Sequence, residues 1–351
     1  VRPSESEAIM ATSDKRSARG SLLRSSLSHA GSVIIIYVVL AAMVVVLGLI
    51  SPNFLSANMI DSLVSAALPL AFAALAQTLI VLVKGIDLSV GPVISLVMVV
   101  AASLMKDSGL SIATSVALCL LIGMACGAVN GAFVVYARLQ SIIVTLATSL
   151  VFGGIALFIM PQPGGYIPES FSSVLTGSLG PVPASAIVLV LSLLFIWLPA
   201  RKSRTGQSWY AVGGNENGAF YSGVNVSWAK MSAFTLSGLF SALAGLTLAS
   251  QTMTGDPSIG APYTLNSIAS SVLGGASLSG GIGGAIGSVG GAFVLTVVVD
   301  ILFFFRVSAY YQYIFSGVIV ILALAIVTIS DYLRARKAAA AASASPRRGN
   351  L

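Results

Sequence analysis

The chain has 351 residues, 56% hydrophobic and 8% charged, with a mean hydropathy of +0.97. A water-soluble domain carries roughly a quarter charged residues, so this composition excludes an ordinary soluble fold and makes a bilayer the solvent. The formal charge of +7 does not point to nucleic acid, because the basic residues sit in short tails and loops and no long polar domain carries a binding surface.

Residues 1–31 form a polar, Ser-rich tail with Lys15, Arg16, Arg19, Arg24 and the single histidine, His29. The apolar run 33–50 lacks a small-residue cleavage pattern and leads into the turn Ser51-Pro52-Asn53-Phe54. It reads as a retained first helix with a cytoplasmic amino terminus. At about 20 residues per span, the pattern predicts about ten transmembrane helices, at 33–50, 59–82, 87–105, 111–136, 141–160, 184–200, 229–250, 264–278, 282–305 and 311–330. Both termini are then cytoplasmic. Of the 18 Lys and Arg residues only Lys106 and Arg306 fall on the outer side, as the inward bias of positive charge requires. The expected fold is an all-α integral membrane protein: a cytoplasmic tail at 1–31, a transmembrane domain at 32–331 with a cytoplasmic loop at 201–229, and a cytoplasmic basic tail at 332–351 suited to anionic lipid.

Within this frame, Lys84 and Asp87 flank Gly85 at a predicted cytoplasmic turn, read as a local ion pair or as a helix cap by Asp87. Cys119 and Cys126 lie roughly 10 Å of helical rise apart, too far to bridge, and read as packing residues. Pro161 to Pro183 reads as an outer loop able to meet an extracytoplasmic partner, and Asp61 and Asp300 as span-end residues within reach of water. Three ridges of small residues suit close helix packing: Gly123, Gly127 and Gly131; Gly238, Ser241, Ala242 and Gly245; and Gly283, Gly287 and Gly291.

Neutral polar residues in the spans, Gln77, Asn130, Thr145, Thr148, Gln251, Asn266 and Ser270, are candidates to line a translocation path for a neutral, hydroxyl-rich solute. Interhelical hydrogen bonding accounts for each of them equally well. The sequence offers no carboxylate cluster, proton relay or nucleophile with a partnered base, so no catalytic or metal-ligating residue is assigned. The Gly-rich stretch Gly274 to Gly283 is no phosphate loop, because no Lys lies between Lys230 and Lys337. It reads as a tight cytoplasmic turn. In the inner loop, Asn215 can cap a short helix, Glu216 favours its positive end and Gly223 can close it. That helix offers Phe220 and Tyr221 as anchors for a partner, or lies at the lipid surface.

Together these residues resemble the ribose-type permeases of bacterial ABC importers. The likeness runs from about Ser51 to Ile329 through Ser51-Pro52-Asn53-Phe54-Leu55, Gly85-Ile86-Asp87-Leu88-Ser89-Val90-Gly91, Gly127-Ala128-Val129-Asn130-Gly131, Thr145-Leu146, Gly214-Asn215-Glu216 through Ser222-Gly223-Val224-Asn225-Val226, and Gly274-Gly275-Ala276-Ser277-Leu278-Ser279-Gly280-Gly281. The resemblance implies a permease homodimer in the bacterial inner membrane, a cytoplasmic ABC ATPase that uses ATP and Mg, and a periplasmic substrate-binding protein. The permease itself binds no cofactor. Its ATPase-coupling residues would be Asn215, Glu216, Asn217, Ala219, Phe220, Tyr221, Ser222 and Gly223. Lys84 stands where the family has Gly, Gln140-Ser141 replaces a proline-containing turn, and Asn217, Gly218 and Phe220 replace Glu, Ala and Arg, which implies a differently matched ATPase. The rival readings are a related ABC permease for branched-chain amino acids or nucleosides, an ion-coupled secondary transporter, and a membrane enzyme or scaffold.

Overall fold

The computed structural model describes residues 33–308 apart from 52, 53, 55 and 181, together with Gly31 and isolated positions from Tyr311 to Arg336. The terminal tails and most of the predicted span 311–330 lie outside the described residues. In chain order the elements are α1 (Val33–Ile50), α2 (Ala57–Leu82), α3 (Val90–Leu104), α4 (Gly109–Val135), α5 (Ser141–Ile159), α6 (Glu169–Thr176), β1 (Ser178–Leu179), β2 (Val182–Pro183) and α7 (Ala184–Ser192). A π-helical turn at Leu193–Trp197 runs on into α8 (Leu198–Lys202). Then come α9 (Arg204–Gly214), α10 (Glu216–Tyr221), α11 (Val226–Thr252), α12 (Ala261–Leu273) and α13 (Ala285–Phe304).

Seven helical runs among the described residues are long and apolar enough to cross a membrane: α1, α2, α4, α5, the run Ala184–Lys202, α11 and α13. The predicted spans 87–105 and 264–278 exist as helices but are shorter, α3 with 15 residues and α12 with 13. Irregular backbone at Gly85 to Ser89 and after Gly274 takes up the rest. Such backbone is tolerated at membrane depth only where protein groups satisfy it. The outer loop Pro161 to Pro183 is more ordered than its composition suggests, because it folds into α6 and an antiparallel pair in which Leu179 faces Val182. Ser172 of α6 donates to the Ser250 carbonyl of α11 at 2.6 Å, docking the short helix on the bundle.

Burial divides the helices into two shells. α2 and α11 are mostly buried and α3 is buried along nearly its whole length, whereas α1, α4, α5 and the run Ala184–Lys202 have only a minority of their residues buried, as a lipid-facing shell does. The α4–α11 crossing is the most extensive helix pair, and the small-residue ridges explain it. A Cβ on Gly127 would strike the Phe234 carbonyl, and one on Gly238 the Gly123 carbonyl, so only glycine permits this backbone approach. On α13, Gly287 and Gly291 abut Gly274 and Ser270 of the α12 end. Gly283 does not join that ridge, because it lies in the turn before α13 with φ +154°.

Candidate functional site

Proline in a helix leaves the carbonyl four residues earlier without its N–H partner. Pro69 lies within α2, and the carbonyl it releases is that of Ser65. Gln251, near the end of α11, supplies the missing donor: its Nε2 lies 2.6 Å from the Ser65 oxygen. The predicted path residue Gln251 therefore repairs a helix in the neighbouring span.

Four further candidates converge on the irregular segment between α2 and α3. The Gln77 amide, in the orientation that satisfies both of its ends, donates to the Asp87 carbonyl at 3.0 Å and accepts from the Asp87 N–H at 3.3 Å. Thr145 accepts from the Leu88 N–H at 3.0 Å, and Ser141 from the Ile86 N–H at 3.2 Å. Asn130 donates to Ser89 Oγ at 2.8 Å and accepts from Thr148 at 2.7 Å. Side chains from α2, α4 and α5 thus do for this loop what a helix does for itself. Asp87 neither pairs with Lys84 nor caps α3. Its carboxylate turns inward, where Oδ1 accepts from the Ser89 N–H at 2.8 Å and from the Ser89 hydroxyl at 2.6 Å. The ion pair found among the described residues joins Lys230 to Glu216 instead, at 2.7 Å.

Ser270 is fully buried and donates back to the Asn266 carbonyl of its own helix at 2.7 Å. Asn266 lines a cavity of about 220 Å³ together with Tyr263, Thr296 and Asp300. Asp300 is half-buried, and Asp61, also placed near water by its sequence position, has a buried Oδ1 without a hydrogen-bond partner. The three companions of Asn266 escaped the polar list, although an ionisable residue inside a span is itself a signal of function.

The inner loop is almost wholly helical. Asn215 caps α10 by accepting from the Gly218 N–H at 2.9 Å, and Gly223 follows it at φ +80°. Ala219 is buried against the bundle, so the helix turns its other face outward. Phe220 and Tyr221 are 65% and 86% exposed, with ring centroids 5.8 Å apart in an edge-to-face pair. Asn217 is exposed beside them, and Ser222 closes the turn by donating to the Gly218 carbonyl at 2.8 Å.

Behind α10, three segments meet at glycines. A Cβ on Gly213 would overlap the Leu82 carbonyl at the end of α2, and Gly280 and Gly281, at φ +87° and +71°, pack on Gly213 and Gly214. The Gly281 N–H donates to the Leu82 carbonyl at 3.1 Å. Tyr210 of α9 donates to the Gly283 carbonyl at 3.1 Å. Burial pushes its phenol above the ordinary value against the pull of Arg201, so it remains a donor. Backbone contacts with no room to slacken thus join the end of α9, which leads into α10, to the end of α2 and to the turn before α13. Beside this junction, a cavity of about 610 Å³ is bounded by Lys84, Arg138, Glu216 and Lys230.

At the other end of α5 the loops are also tied. Gly164 and Gly255 exchange backbone hydrogen bonds of 2.9 and 2.7 Å. The Tyr166 hydroxyl donates to the Asp107 carboxylate at 2.9 Å, which holds that phenol above its usual range.

A polytopic helical bundle with a protruding capped helix is an architecture that suits a transport component. Residues 59–324 match the family described as branched-chain amino acid transport system / permease component, and the chain belongs to that family. It is similar to the ribose import permease protein of Haemophilus influenzae, at 31% identity over 86% of this chain and 94% of the relative. The D-allose transport system permease protein of Escherichia coli is 31% identical over 83% and 90% of the two chains, and the galactose/methyl galactoside import permease protein of the same species 31% identical over 83% and 92%. No solved structure matches the chain. The protein is a multi-pass permease of the bacterial inner membrane.

Proposed function

We propose that the chain is the permease subunit of an ABC importer for a monosaccharide or related small polyol, driven by a partner ATPase that docks on α10. The observation that carries this reading is the capped helix whose aromatic pair, Phe220 and Tyr221, stands exposed at the end of a chain of glycine contacts leading into α2 and α13. An exposed aromatic pair on a rigid helix is hot-spot chemistry for a protein partner. The sugar assignment follows the printed names of the relatives, which are ribose, allose and galactose permeases.

In this reading about ten helices cross the membrane and both termini are cytoplasmic, with tails at 1–31 and 332–351 around a permease domain at 32–331. Two copies form a homodimer. ATP and Mg act on the ATPase, a periplasmic binding protein delivers the solute to the end that carries α6, and motion of residues 215–223 switches the bundle between two states of modest energy difference. Gln77, Asn130, Thr145 and Thr148 hold the α2–α3 segment in place, and the path runs beside them.

A second reading, transport of branched-chain amino acids, is favoured by the family description. Reconstitution into vesicles with the ATPase and binding protein separates the two. ATP-dependent uptake of a monosaccharide supports the first reading, and ATP-dependent uptake of leucine or valine instead supports the second. Uptake by the isolated chain under an ion gradient, without ATP, overturns both.

A further inference from the structure

Asp300 is placed at a cost that nothing within the described chain repays. It lies in a membrane-crossing helix, four residues before the end of α13 at Phe304. A helix dipole opposes a negative charge near the carboxyl end, and hydrocarbon opposes it further. No hydrogen bond or ion pair engages its carboxylate among the described residues. A carboxylate in this situation looks into a watery space and waits for donors.

The bundle provides such a space. Asp300 borders the cavity of about 220 Å³ whose floor is formed by Ala66 and Leu70 of α2 and whose other polar walls are Tyr263, Asn266 and Thr296. At about 30 Å³ per water in the liquid, that volume is the share of roughly seven waters, the scale of one sugar ring. The wall chemistry selects the occupant. Asp300 is the one carboxylate or imidazole lining the cavity, and no cluster of three or more His, Cys, Asp or Glu that could hold a metal ion occurs among the described residues. One carboxylate, one amide, one aliphatic hydroxyl and one aromatic ring over an apolar floor suit a neutral molecule with several hydroxyl groups and one apolar face. The carboxylate accepts two hydroxyls, the amide accepts and donates, and the ring covers the C–H face.

We propose that the cavity formed by Tyr263, Asn266, Thr296 and Asp300 is an entry subsite that hydrogen-bonds a polyhydroxylated solute on its way from the binding protein into the path. The proposal rests on the importer reading above and names a binding site within it. It also gives the solute a hand-over point, because the cavity lies towards the end of the bundle at which α13 terminates, the end to which the binding protein delivers.

Two experiments test it. In vesicles containing permease, ATPase and binding protein, at saturating loaded binding protein, Asp300→Leu is expected to lower the solute carried per ATP hydrolysed about tenfold, the effect of losing a hydrogen bond to a charged group. Asp300→Asn, which keeps shape and one acceptor, is expected to lose less, and both variants are expected to be at least as thermally stable as the wild type, because each removes an uncompensated charge. Wild-type transport that is unchanged in Asp300→Leu overturns the subsite while leaving the importer reading intact; a wild-type complex that carries no sugar fails the importer reading first. Independently of transport, Thr296→Cys is expected to react with a membrane-impermeant maleimide from outside and to be protected by millimolar monosaccharide. A thiol that stays unlabelled faces lipid and overturns the proposal, as does labelling that no sugar slows.

Discussion

Replacing Gln251 by Leu removes the donor that satisfies the Ser65 carbonyl, which Pro69 leaves without a helical partner. The bond is short, 2.6 Å, and part-buried. An unsatisfied polar group costs about 1–3 kcal/mol, and the partial exposure of Ser65 places the expected loss near the lower end, about 1–2 kcal/mol. A second substitution separates this cause from the packing lost with the side chain. Pro69→Ala restores an N–H at the correct position, so the Ser65 carbonyl takes a normal helical bond and Gln251→Leu becomes nearly neutral in that background. The double-mutant cycle, read by denaturant unfolding of the detergent-solubilised protein, is expected to give a coupling energy of about 1 kcal/mol. An equal penalty in both backgrounds would refute the repair. Loss of uptake at unchanged stability would restore Gln251 to the translocation path.

Other expectations follow from the same contacts. Asn130→Leu breaks the bonds to Ser89 and Thr148 and loosens the α2–α3 segment, costing about 1–3 kcal/mol in unfolding experiments while solute preference stays fixed. An altered preference at normal stability would contradict this. Gly127→Leu forces α4 away from the Phe234 carbonyl of α11 and is expected to cost about 1–3 kcal/mol or more, seen as a lowered yield of monodisperse protein. Glu216→Gln removes the ion pair with Lys230, but with side-chain exposures of 51% and 21% that pair is water-screened. The expected change in stability is below about 1 kcal/mol, and a larger one would show the pair to be structural.

The parts of the molecule written in local signals were readable in the sequence. The apolar runs of α1, α2, α4, α5, α11 and α13 stand out because each carries its own lipid-facing or core-facing composition. Helix α10 was readable because its cap, Asn215, and the glycine that follows it, Gly223, lie within nine residues of sequence. What was not readable depends on partners far along the chain. The role of Gln251 requires Ser65, 186 positions away, and a proline that frees it. Asp87 looked like a partner for Lys84 three residues earlier or a helix cap, yet Ser89 and the burial of the loop under α4 and α5 turn it inward. The segment before α7 read as an irregular loop because eight-residue α6 is too short to display a helical period, and its docking bond to Ser250 is again a distant contact. Asp300 read as a span-end residue within reach of water, because its cavity neighbours on α12 come together with it only in the folded bundle.

In the proposed function, α10 is the point where a partner's ATP hydrolysis is converted into motion of the bundle. The most direct measurement is ATP hydrolysis and solute uptake recorded in the same vesicles, comparing the wild-type chain with the double variant Phe220→Asp, Tyr221→Asp. Both side chains are exposed, so membrane insertion and thermal stability are expected to be unchanged. The account predicts that uptake falls to background while ATP hydrolysis by the ATPase persists. Coupled uptake at the wild-type ratio of solute to ATP would contradict it and move the docking surface elsewhere.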